Sequence, residues 1–548
     1  MLPRMSVAGL ASGGIGARWW GWGDAPDGHV DGRLDEILNL LGAPPRPPPA
    51  AGADQLAPPA SRLLETARGA LLRHAEVDVS ALGRSLACFG SAYPDLVRRR
   101  RGEASPAPDA IVRPHTADGV IGTLRACADY DLAVVPRGAG TSLVGGADAS
   151  GIGQRSGLVV IDTTGLRRVL DVDPISRRAT VEAGVPGPVL EAAVREHGLS
   201  LGHAPGSFER STVGGWVATG SASADAGGDG SIRQLVTGLR LASPVGMLEL
   251  HDAPLGGEGP DLTGLVIGSE GTLGVICEVT LRLRRRPGAQ AGCGLLFRSF
   301  ADGLVALRRL AQDGLVPLAA RLCDEDETRL WMHAAGAEDA ARGARTRLAG
   351  RGAPGALLLL ADAGSAGTPG RRIEAAVAAC AAEAPIELGD EPARRWVALP
   401  ARDAWLRDAL IDAGVLVDTV ETAGSWKVLP ALREAVVAAL VGALGNPALV
   451  TSRVAHATPD GASLAVTCFA PAAEGAELER WRAARSAALA AILGQGGQIA
   501  HANGIGSHSA RWLARARGRT AAGLLRALKS ELDPVGMMNP GKLVAEGA

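Results

Sequence analysis

The sequence predicts an α+β protein of several domains, and three observations lead to this class. Between residues 106 and 287, short β-branched segments alternate with helical patterns and are separated by glycine turns. Residues 288–470 combine apolar strand-like segments with helices in the order typical of a domain with an antiparallel sheet. Residues 471–548 are mostly helical, with a glycine-rich interruption at 494–508.

Residues 1–105 precede these three units and have a different composition and residue pattern. It begins with a tryptophan-glycine cluster at 19–22, continues through a proline-rich stretch at 43–53, and ends in a helical pattern over 61–101. Consecutive prolines favour an extended backbone, so the middle stretch is predicted to be a spacer. The basic run Arg98–Arg101 suits the negative end of a helix macrodipole.

Composition excludes several kinds of partner. Among 548 residues, 56 Lys and Arg face 58 Asp and Glu, a net charge of −2, so neither a nucleic-acid partner nor an acidic lipid surface is indicated. The seven cysteines form no C-x-x-C pair, which predicts reduced thiols and a cytoplasmic location. No apolar run reaches the roughly 18 residues of a membrane span. No histidine pair has metal-ligand spacing, so no metal site is predicted.

Three glycine-rich segments carry the first chemical information. They are PRGAGTSLVGG at 136–146, HAPGSFERSTVGGWVAT at 203–219, and GSEGTLGVI at 268–276. Glycines at such spacing let successive backbone N–H groups turn toward one concavity, and Ser and Thr hydroxyls add donors, which together can hold a pyrophosphate. None of them is a G-x-G-x-x-G turn that opens a helix, so a nicotinamide dinucleotide fold is not indicated.

These segments, together with DPVGMMNPGKL at 533–543, resemble the FAD-linked oxidase superfamily, which includes vanillyl-alcohol oxidase. Further segments, among them RWWGWG, RLCDEDE, TSRV and HANGIG, are similar to its alkyldihydroxyacetonephosphate synthase branch. The resemblance implies a PCMH-type FAD-binding domain of two α/β subdomains at 106–287, an antiparallel-sheet cap domain at 288–470, and a helical return to the flavin at 471–548. It also makes a homodimer possible.

The resemblance implies FAD as the cofactor. Related enzymes with a covalent flavin place a His where this chain has Thr141, so the FAD is predicted to be non-covalent. The residues that the resemblance assigns to the cofactor are Pro136, Arg137, Gly138, Ala139, Gly140, Thr141, Ser142, Ser207, Ser211, Thr212, Gly214, Gly215, Gly271, Thr272 and Ile276.

The resemblance also implies a reaction at flavin N5 on a small anionic or lipid-like substrate under the cap. Arg321 and Arg453 match the family's arginine positions, and we expect them to hold the substrate anion. His501 and Asn503 are expected to contact its reacting oxygen. Four further imidazoles, His115, His203, His456 and His508, are predicted to be structural or surface residues.

The sequence departs from the family pattern at reactive positions. The family's three-histidine run is His501-Ala502-Asn503 here, and an amide takes no proton near neutral pH. Neither Tyr93 nor Tyr130 lies in the segment 463–470 where the family has its catalytic Tyr. Two alternatives therefore stay open: FAD-dependent oxidation of a 2-hydroxy acid or alcohol, whose G-E-H-G-I-G motif is also altered here, and a flavin-binding protein without turnover.

Overall fold

The computed structural model of the chain describes residues 18–23, 32–151, 153, 155–223, 230–251, 259–334, 355–398 and 403–543. The outermost parts of the predicted first and last segments, 1–17 and 544–548, lie outside the described residues. The α+β class is confirmed, because the described strands form three main sheets, two of them antiparallel and one mostly parallel, with helices between them.

In its described residues, the first segment has four short α-helices and one strand. Its elements are α1 (Arg33–Leu40), α2 (Glu65–Leu72), β1 (Glu76–Asp78), α3 (Ala81–Leu86) and α4 (Tyr93–Arg100). The predicted helical stretch over 61–101 is therefore interrupted. Ser80 accepts a hydrogen bond from the N–H of Gly83 and starts α3, while Pro94 in the first turn of α4 suits only a helix start. Residues 43–50 have no regular secondary structure, as the prolines predict.

A four-stranded sheet follows, in the order β1-β2-β4-β3. Its elements are β2 (Ala110–Arg113), α5 (Ala117–Asp129), β3 (Leu132–Arg137) and β4 (Gly157–Asp162). Strands β2, β4 and β3 are parallel and β1 is antiparallel to β2. Because β3 and β4 are buried along most of their length, they are continuous apolar runs. The loop after β3 is the first glycine-rich segment.

A five-stranded antiparallel sheet forms the second half of this domain, in the order β5-β6-β10-β8-β9. The strands of this sheet are β5 (Val169–Asp173), β6 (Arg178–Glu182), β8 (Val236–Ser243), β9 (Gly246–His251) and β10 (Val275–Arg282). The same stretch of chain contains the helices α6 (Gly187–Arg195), α7 (Val213–Thr219) and α8 (Leu262–Val266), and a separate two-stranded sheet of β7 (Leu199–Ser200) and β11 (Arg284–Arg285). Helix α7 begins inside the second glycine-rich segment, and β10 follows the third.

A seven-stranded antiparallel sheet forms the third unit, in the order β15-β12-β14-β13-β17-β18-β16. Its elements are β12 (Ala289–Phe297), α9 (Phe300–Gln312), β13 (Ala319–Cys323), α10 (Glu325–Ala334), β14 (Ala356–Gly364), α11 (Thr368–Ala379), β15 (Ile386–Glu387), α12 (Glu391–Ala398), α13 (Asp403–Asp412), β16 (Val415–Ser425), α14 (Leu429–Leu444), β17 (Leu449–Ala455) and β18 (Gly461–Pro471). We call this unit the cap.

Three helices complete the chain: α15 (Glu477–Gly494), α16 (Ala510–Arg517) and α17 (Arg519–Leu532). A cluster of buried apolar side chains joins Trp20 and Ile37 of the first segment to the cap sheet and to α15. Described residues of both the first and the last segment therefore pack on the cap. The final segment also returns to the first sheet, where the N–H of Asn539 donates to the carbonyl of Val134 at 2.7 Å.

Within the described residues, no helix is both long enough and apolar enough to cross a membrane. All seven cysteines are buried and none is in a disulfide. The same residues contain no group of three His, Cys, Asp or Glu side chains arranged to hold a metal ion.

Candidate functional site

A cavity of about 420 Å³ lies between the three glycine-rich segments and the cap sheet. The residues assigned to FAD that line it are Pro136, Arg137, Gly138, Ala139, Gly140, Thr141, Ser142, Ser207, Ser211, Thr212, Gly214, Gly215, Gly271 and Ile276. Arg453, His501 and Asn503 line it as well. Arg321 and Thr272 are not among its lining residues in the described part of the chain.

The loop at 138–142 is held from behind by Ser91. Its hydroxyl donates to the carbonyl of Gly140 at 3.0 Å, and its backbone N–H donates to the carbonyl of Ser142 at 2.7 Å. The backbone N–H groups of residues 139–142 have no hydrogen-bond acceptor among the described residues. Consecutive unused donors on a cavity wall are suited to an anion such as the FAD pyrophosphate.

Three glycines allow the segments of this wall to approach one another closely. A Cβ on Gly138 would lie 2.3 Å from Oγ1 of Thr212, in the second segment. Gly140 has a φ of +72°, a conformation that other residues rarely adopt. Gly271, in the third segment, has a φ of +73°, and a Cβ there would lie 2.9 Å from the ring of Pro136. The three segments therefore meet at contacts that only glycine allows, and the residues present fit a flat dinucleotide.

Arg137 occupies the wall differently from expectation. Its guanidinium donates to the backbone carbonyls of Phe89 at 2.8 Å and Ala147 at 3.3 Å. Burial lowers the pKa of Arg137 to about 10, so the group stays charged near neutral pH. Because its donors point at the chain's own carbonyls, Arg137 braces the loop, and the backbone N–H groups remain as the donors available to an anion.

The hydroxyls of the other two segments are mostly used by the fold. Ser211 donates to the carbonyl of Ser207 at 2.8 Å and accepts Nε1 of Trp216 at 2.7 Å. Thr212 caps α7 through the N–H of Gly215. Thr272 is buried away from the cavity and donates to the carbonyl of Ser269 at 2.7 Å. Ser211 and Thr212 therefore shape the cavity wall, whereas Thr272 supports the third segment from behind the wall.

Glu270 joins the third glycine-rich segment to the loop at 494–508. Its two carboxylate oxygens accept the N–H groups of Ile505 at 2.5 Å and Gly506 at 2.6 Å. Its φ is +52°, and its backbone carbonyl accepts Nδ2 of Asn539 at 2.6 Å. Burial raises the pKa of Glu270 to about 7 although the two N–H groups oppose the rise.

We expect this raised pKa to appear as a pH-dependent stability. The pKa of Glu270 rises from 4.5 to about 7 on folding, so its contribution is full below pH 4.5 and is lost as the pH rises through about 7. The Tm of the wild type minus that of Glu270→Gln should therefore fall between pH 5 and pH 8. Thermal unfolding at several pH values measures it, since other titrating groups are shared. A constant difference would contradict the assignment.

The cap contributes a buried carboxylate between two arginines. Oε1 of Glu327 lies 2.7 Å from Nη2 of Arg321 and 3.5 Å from Nη1 of Arg453, and its Oε2 accepts the hydroxyl of Thr451 at 2.6 Å. Strands β13 and β17 pair with Cys323 opposite Arg453, so side chains two residues apart share one face of the sheet. Burial acts to raise the pKa of Glu327, but the two guanidinium groups outweigh it and the net shift is downward.

The two arginines differ in what they face. Arg453 lines the cavity and its side chain is 22% exposed, whereas the Arg321 side chain is 10% exposed and lies behind Glu327. A second ion pair lies in the same wall, with Nη1 of Arg33 2.9 Å from Oδ1 of Asp403. Arg453 is therefore the better placed of the two predicted substrate arginines, and Arg321 acts on it through Glu327.

A pair of imidazoles lies in the wall formed by the loop at 494–508 and the β17–β18 hairpin. Nε2 of His501 is 3.1 Å from Nδ1 of His456, and Nε2 of His456 is 2.7 Å from the carbonyl oxygen of Ser223. Burial lowers the pKa of His501, which favours the neutral ring. Asn503 lines the cavity two residues further on.

His456 is the functional candidate that the sequence alone did not reveal. The sequence predicts a structural or surface residue at this position, but His456 lines the cavity next to His501. No spacing in the sequence pairs two histidines 45 residues apart on different loops. The second such residue is Arg407, whose Nη1 donates to the carbonyl of Ser91 at 2.9 Å and so connects α13 of the cap to the loop at 138–142.

The expected position of the family's tyrosine is filled by small side chains. Ser463, Ala465 and Thr467 of β18 line the cavity, and no phenol is present on this strand. Of the two tyrosines, Tyr93 lies in the cavity wall at the start of α4, where burial raises its pKa.

We expect acid to release the flavin from the protein. Thr141 lies in the cavity wall at the loop position where covalently flavinylated relatives have His, and its hydroxyl stays protonated and weakly nucleophilic near neutral pH. Precipitating the yellow protein with trichloroacetic acid should leave the flavin absorbance in the supernatant. A pellet that retained the flavin after washing would show a covalent link.

Comparison with known proteins agrees with this architecture. Residues 108–250 match the family described as FAD binding domain, and residues 286–543 match the family described as FAD linked oxidases, C-terminal domain. The chain is 29% identical over 476 residues to the alkyldihydroxyacetonephosphate synthase of Dictyostelium discoideum, which covers 84% of this chain and 77% of that protein.

The comparisons also include a relative of a different name and a solved structure. A glycolate oxidase subunit of Bacillus subtilis is 26% identical over 449 residues, covering 80% of this chain and 90% of that protein. A solved structure of an alkyldihydroxyacetonephosphate synthase superposes with a TM-score of 0.80 at 25% identity, covering 95% of this chain and 98% of the other.

Proposed function

Because the chain belongs to the FAD-linked oxidase family, we propose that it is an FAD-dependent enzyme of the alkyldihydroxyacetonephosphate synthase type, which holds an anionic substrate between the flavin and the cap. One observation carries this proposal. The loop at 138–142, Arg453 and His501 all line one cavity of about 420 Å³. A cation that can bind an anion and a base are therefore within the same cavity as the proposed flavin loops.

The unused N–H groups of residues 139–142 would hold the FAD pyrophosphate, and Gly271 and Ile276 would lie along the rest of the cofactor. When bound, FAD supplies an electrophilic N5 that accepts a hydride or a substrate carbon. The cap supplies the rest of the cavity wall, through residues of β16, β17 and β18.

Arg453 is the substrate anchor in this proposal. A guanidinium binds phosphate and carboxylate through paired N–H donors, and its charge is permanent in proteins. Glu327 neutralises part of that charge, but it is shared with Arg321 and Thr451. With the Arg33–Asp403 ion pair of the same wall included, three arginines face two carboxylates, which leaves a net positive charge at this end of the cavity and favours an anionic substrate.

His501 is the base in this proposal, and Asn503 is a neutral donor and acceptor beside it. A partly buried imidazole whose pKa is lowered by desolvation is unprotonated near neutral pH and can take a proton from a substrate hydroxyl or carbon. Asn503 can hydrogen-bond the same substrate oxygen without changing its charge.

A second function is favoured by the chemistry of this wall. The two imidazoles and the absence of a phenol on β18 suit removal of a hydroxyl proton, the step that accompanies hydride transfer from a 2-hydroxy acid. A glycolate oxidase subunit is among the relatives. A flavin-binding protein without turnover is the third possibility, and any reproducible product would eliminate it.

The test is an absorbance spectrum of the purified protein followed by two anaerobic titrations. With palmitoyl-dihydroxyacetone phosphate and hexadecanol, the synthase reaction gives an alkyl product with no lasting net reduction of the flavin. With glycolate or D-lactate, an oxidase bleaches the flavin, and oxygen restores the colour. The first result supports the proposal, the second replaces it by the alternative, and a protein that does not bind FAD contradicts both.

A further inference from the structure

We propose that His456 and His501 work as one acid–base pair, in which His501 exchanges a proton with the substrate and His456 is a positioning residue that fixes the tautomer of His501 and shares its charge. The proposal rests on the proposed FAD-dependent function and deepens it. The tyrosine and two of the three histidines that the resemblance would assign to proton transfer are absent from this chain, and the proposal names the residues that transfer the proton instead.

The hydrogen bonds fix which nitrogen of His456 carries the proton. A backbone carbonyl only accepts, so Nε2 of His456, 2.7 Å from the carbonyl oxygen of Ser223, must be the donor. In the neutral ring Nδ1 is then an acceptor, and Nε2 of His501 at 3.1 Å is placed to donate to it. His501 consequently holds its proton on Nε2 and presents an unprotonated Nδ1.

Ser463 is a second group at the same nitrogen. Its hydroxyl lies 3.1 Å from Nδ1 of His456 but also donates to the carbonyl of Ala455 at 2.9 Å. With its hydrogen engaged by Ala455, Ser463 leaves Nδ1 of His456 to His501. No described residue bonds to Nδ1 of His501, which leaves that nitrogen for a ligand in the cavity.

The backbone at His456 supports a functional role. Its φ is +48°, a left-handed conformation that is strained for a non-glycine residue and persists where the surroundings enforce it. The β17–β18 hairpin enforces it here, since Ala455 and Ser463 are paired across the two strands. The strained turn places the imidazole 4.8 Å, centroid to centroid, from the ring of His501.

A proton can move along this pair with all charges accounted for. A substrate proton that arrives at Nδ1 of His501 makes that ring an imidazolium. Its Nε2 proton can then pass to Nδ1 of His456, which returns His501 to neutrality and places the charge on His456. The Nε2–H of His456 keeps its bond to the Ser223 carbonyl throughout. The reverse sequence returns the proton to the product.

Three other titratable groups lie close to the pair. Glu421 accepts the N–H of Ala502 at 3.3 Å, Glu270 accepts the N–H groups of Ile505 and Gly506, and His203 contacts the hydroxyl of Ser223 through its Nδ1 at 3.4 Å. Burial lowers the pKa of His203 to about 4, so it stays neutral in the range where the pair would work.

Two substitutions of His456 separate its two nitrogens. His456→Asn keeps an oxygen acceptor near the Nδ1 position, and His456→Gln keeps a donor near the Nε2 position. Turnover is measured on the FAD-loaded enzyme with whichever of palmitoyl-dihydroxyacetone phosphate plus hexadecanol, or D-lactate, the wild type converts. We expect His456→Gln to lose about 100-fold in kcat/KM, and His456→Asn, which keeps the acceptor for His501 but cannot take the proton, to lose only about 10-fold. The double variant with His501→Ala should be no slower than His501→Ala alone.

Equal losses in the Asn and Gln variants, or additive losses in the double variant, would overturn the pair. Flavin absorbance and Tm control for folding, because asparagine tolerates the positive φ better than glutamine. A separate readout needs no turnover: the ¹⁵N spectrum of histidine-labelled FAD-loaded protein, with His501→Ala identifying the signals. An Nε2-protonated His501 in the wild type and in His456→Asn supports the pair, and an Nδ1-protonated His501 in the wild type contradicts it. If neither substrate is converted, the proposed function fails while this spectrum still decides the pair.

Discussion

Replacing Gly506 by alanine is expected to lower the free energy of unfolding by about 3–5 kcal/mol and to release FAD. Gly506 has a φ of +56°, and a Cβ there would lie 1.9 Å from the carbonyl oxygen of Val144, a backbone atom that has no rotamer to change. Its N–H also donates to Glu270. Strain would thus separate the loop at 494–508 from both the first and the third glycine-rich segments.

The matched control is Gly496→Ala in the same loop. Gly496 has a φ of +74°, but no atom lies within 4 Å of a Cβ built there. We expect only the cost of the left-handed conformation, about 1 kcal/mol. Urea unfolding followed by tryptophan and flavin fluorescence compares the two variants. Equal destabilisation by both would show that the contact with Val144 is unimportant.

The second large effect is expected for Arg453→Ala, which should raise KM for an anionic substrate by about 100-fold. Truncating one partner of a partly buried charge contact costs about 2–5 kcal/mol, and 1.36 kcal/mol corresponds to tenfold in binding. Because Glu327 keeps Arg321 and Thr451 as partners, the fold should change little, and Tm should stay near that of the wild type.

Arg321→Ala is the control that shares the same carboxylate. Arg321 does not line the cavity, so its loss leaves a buried Glu327 with less compensation, and we expect mainly a lower Tm. Steady-state kinetics together with thermal unfolding of both variants measure the contrast. An unchanged KM in Arg453→Ala, or the same KM effect in Arg321→Ala with an unchanged Tm, would remove Arg453 as the anchor.

The three glycine-rich segments could be identified from the sequence because their requirements concern residues close together in the chain. A positive φ, a close approach of two backbones and a row of free N–H groups are requirements that glycine and small hydroxyl residues meet within a few positions. The segment at 136–146 therefore predicts a pyrophosphate-binding loop, and the backbone N–H groups of residues 139–142 have no acceptor among the described residues. The prediction of a helical stretch over 61–101 is wrong at β1, because this segment pairs with β2, and such a long-range contact is not encoded locally.

Side-chain direction was beyond the sequence, even for residues chosen correctly. Arg137 stands in the predicted loop, yet its guanidinium is used by the carbonyls of Phe89 and Ala147. Arg321 and Arg453 looked equivalent, but they flank one carboxylate and only Arg453 reaches the cavity. The register of β13 against β17 made this difference, and register depends on the packing of the whole sheet.

The sequence by itself determined the α+β class, the three glycine-rich segments and the absence of a phenol on β18, since each depends on composition or on neighbours along the chain. Only the tertiary structure decided that His456 meets His501, that Glu270 joins two loops, and that Thr272 lies behind the wall. Such contacts form between segments that are distant in sequence, and they depend on how buried apolar faces pack, which no local pattern encodes.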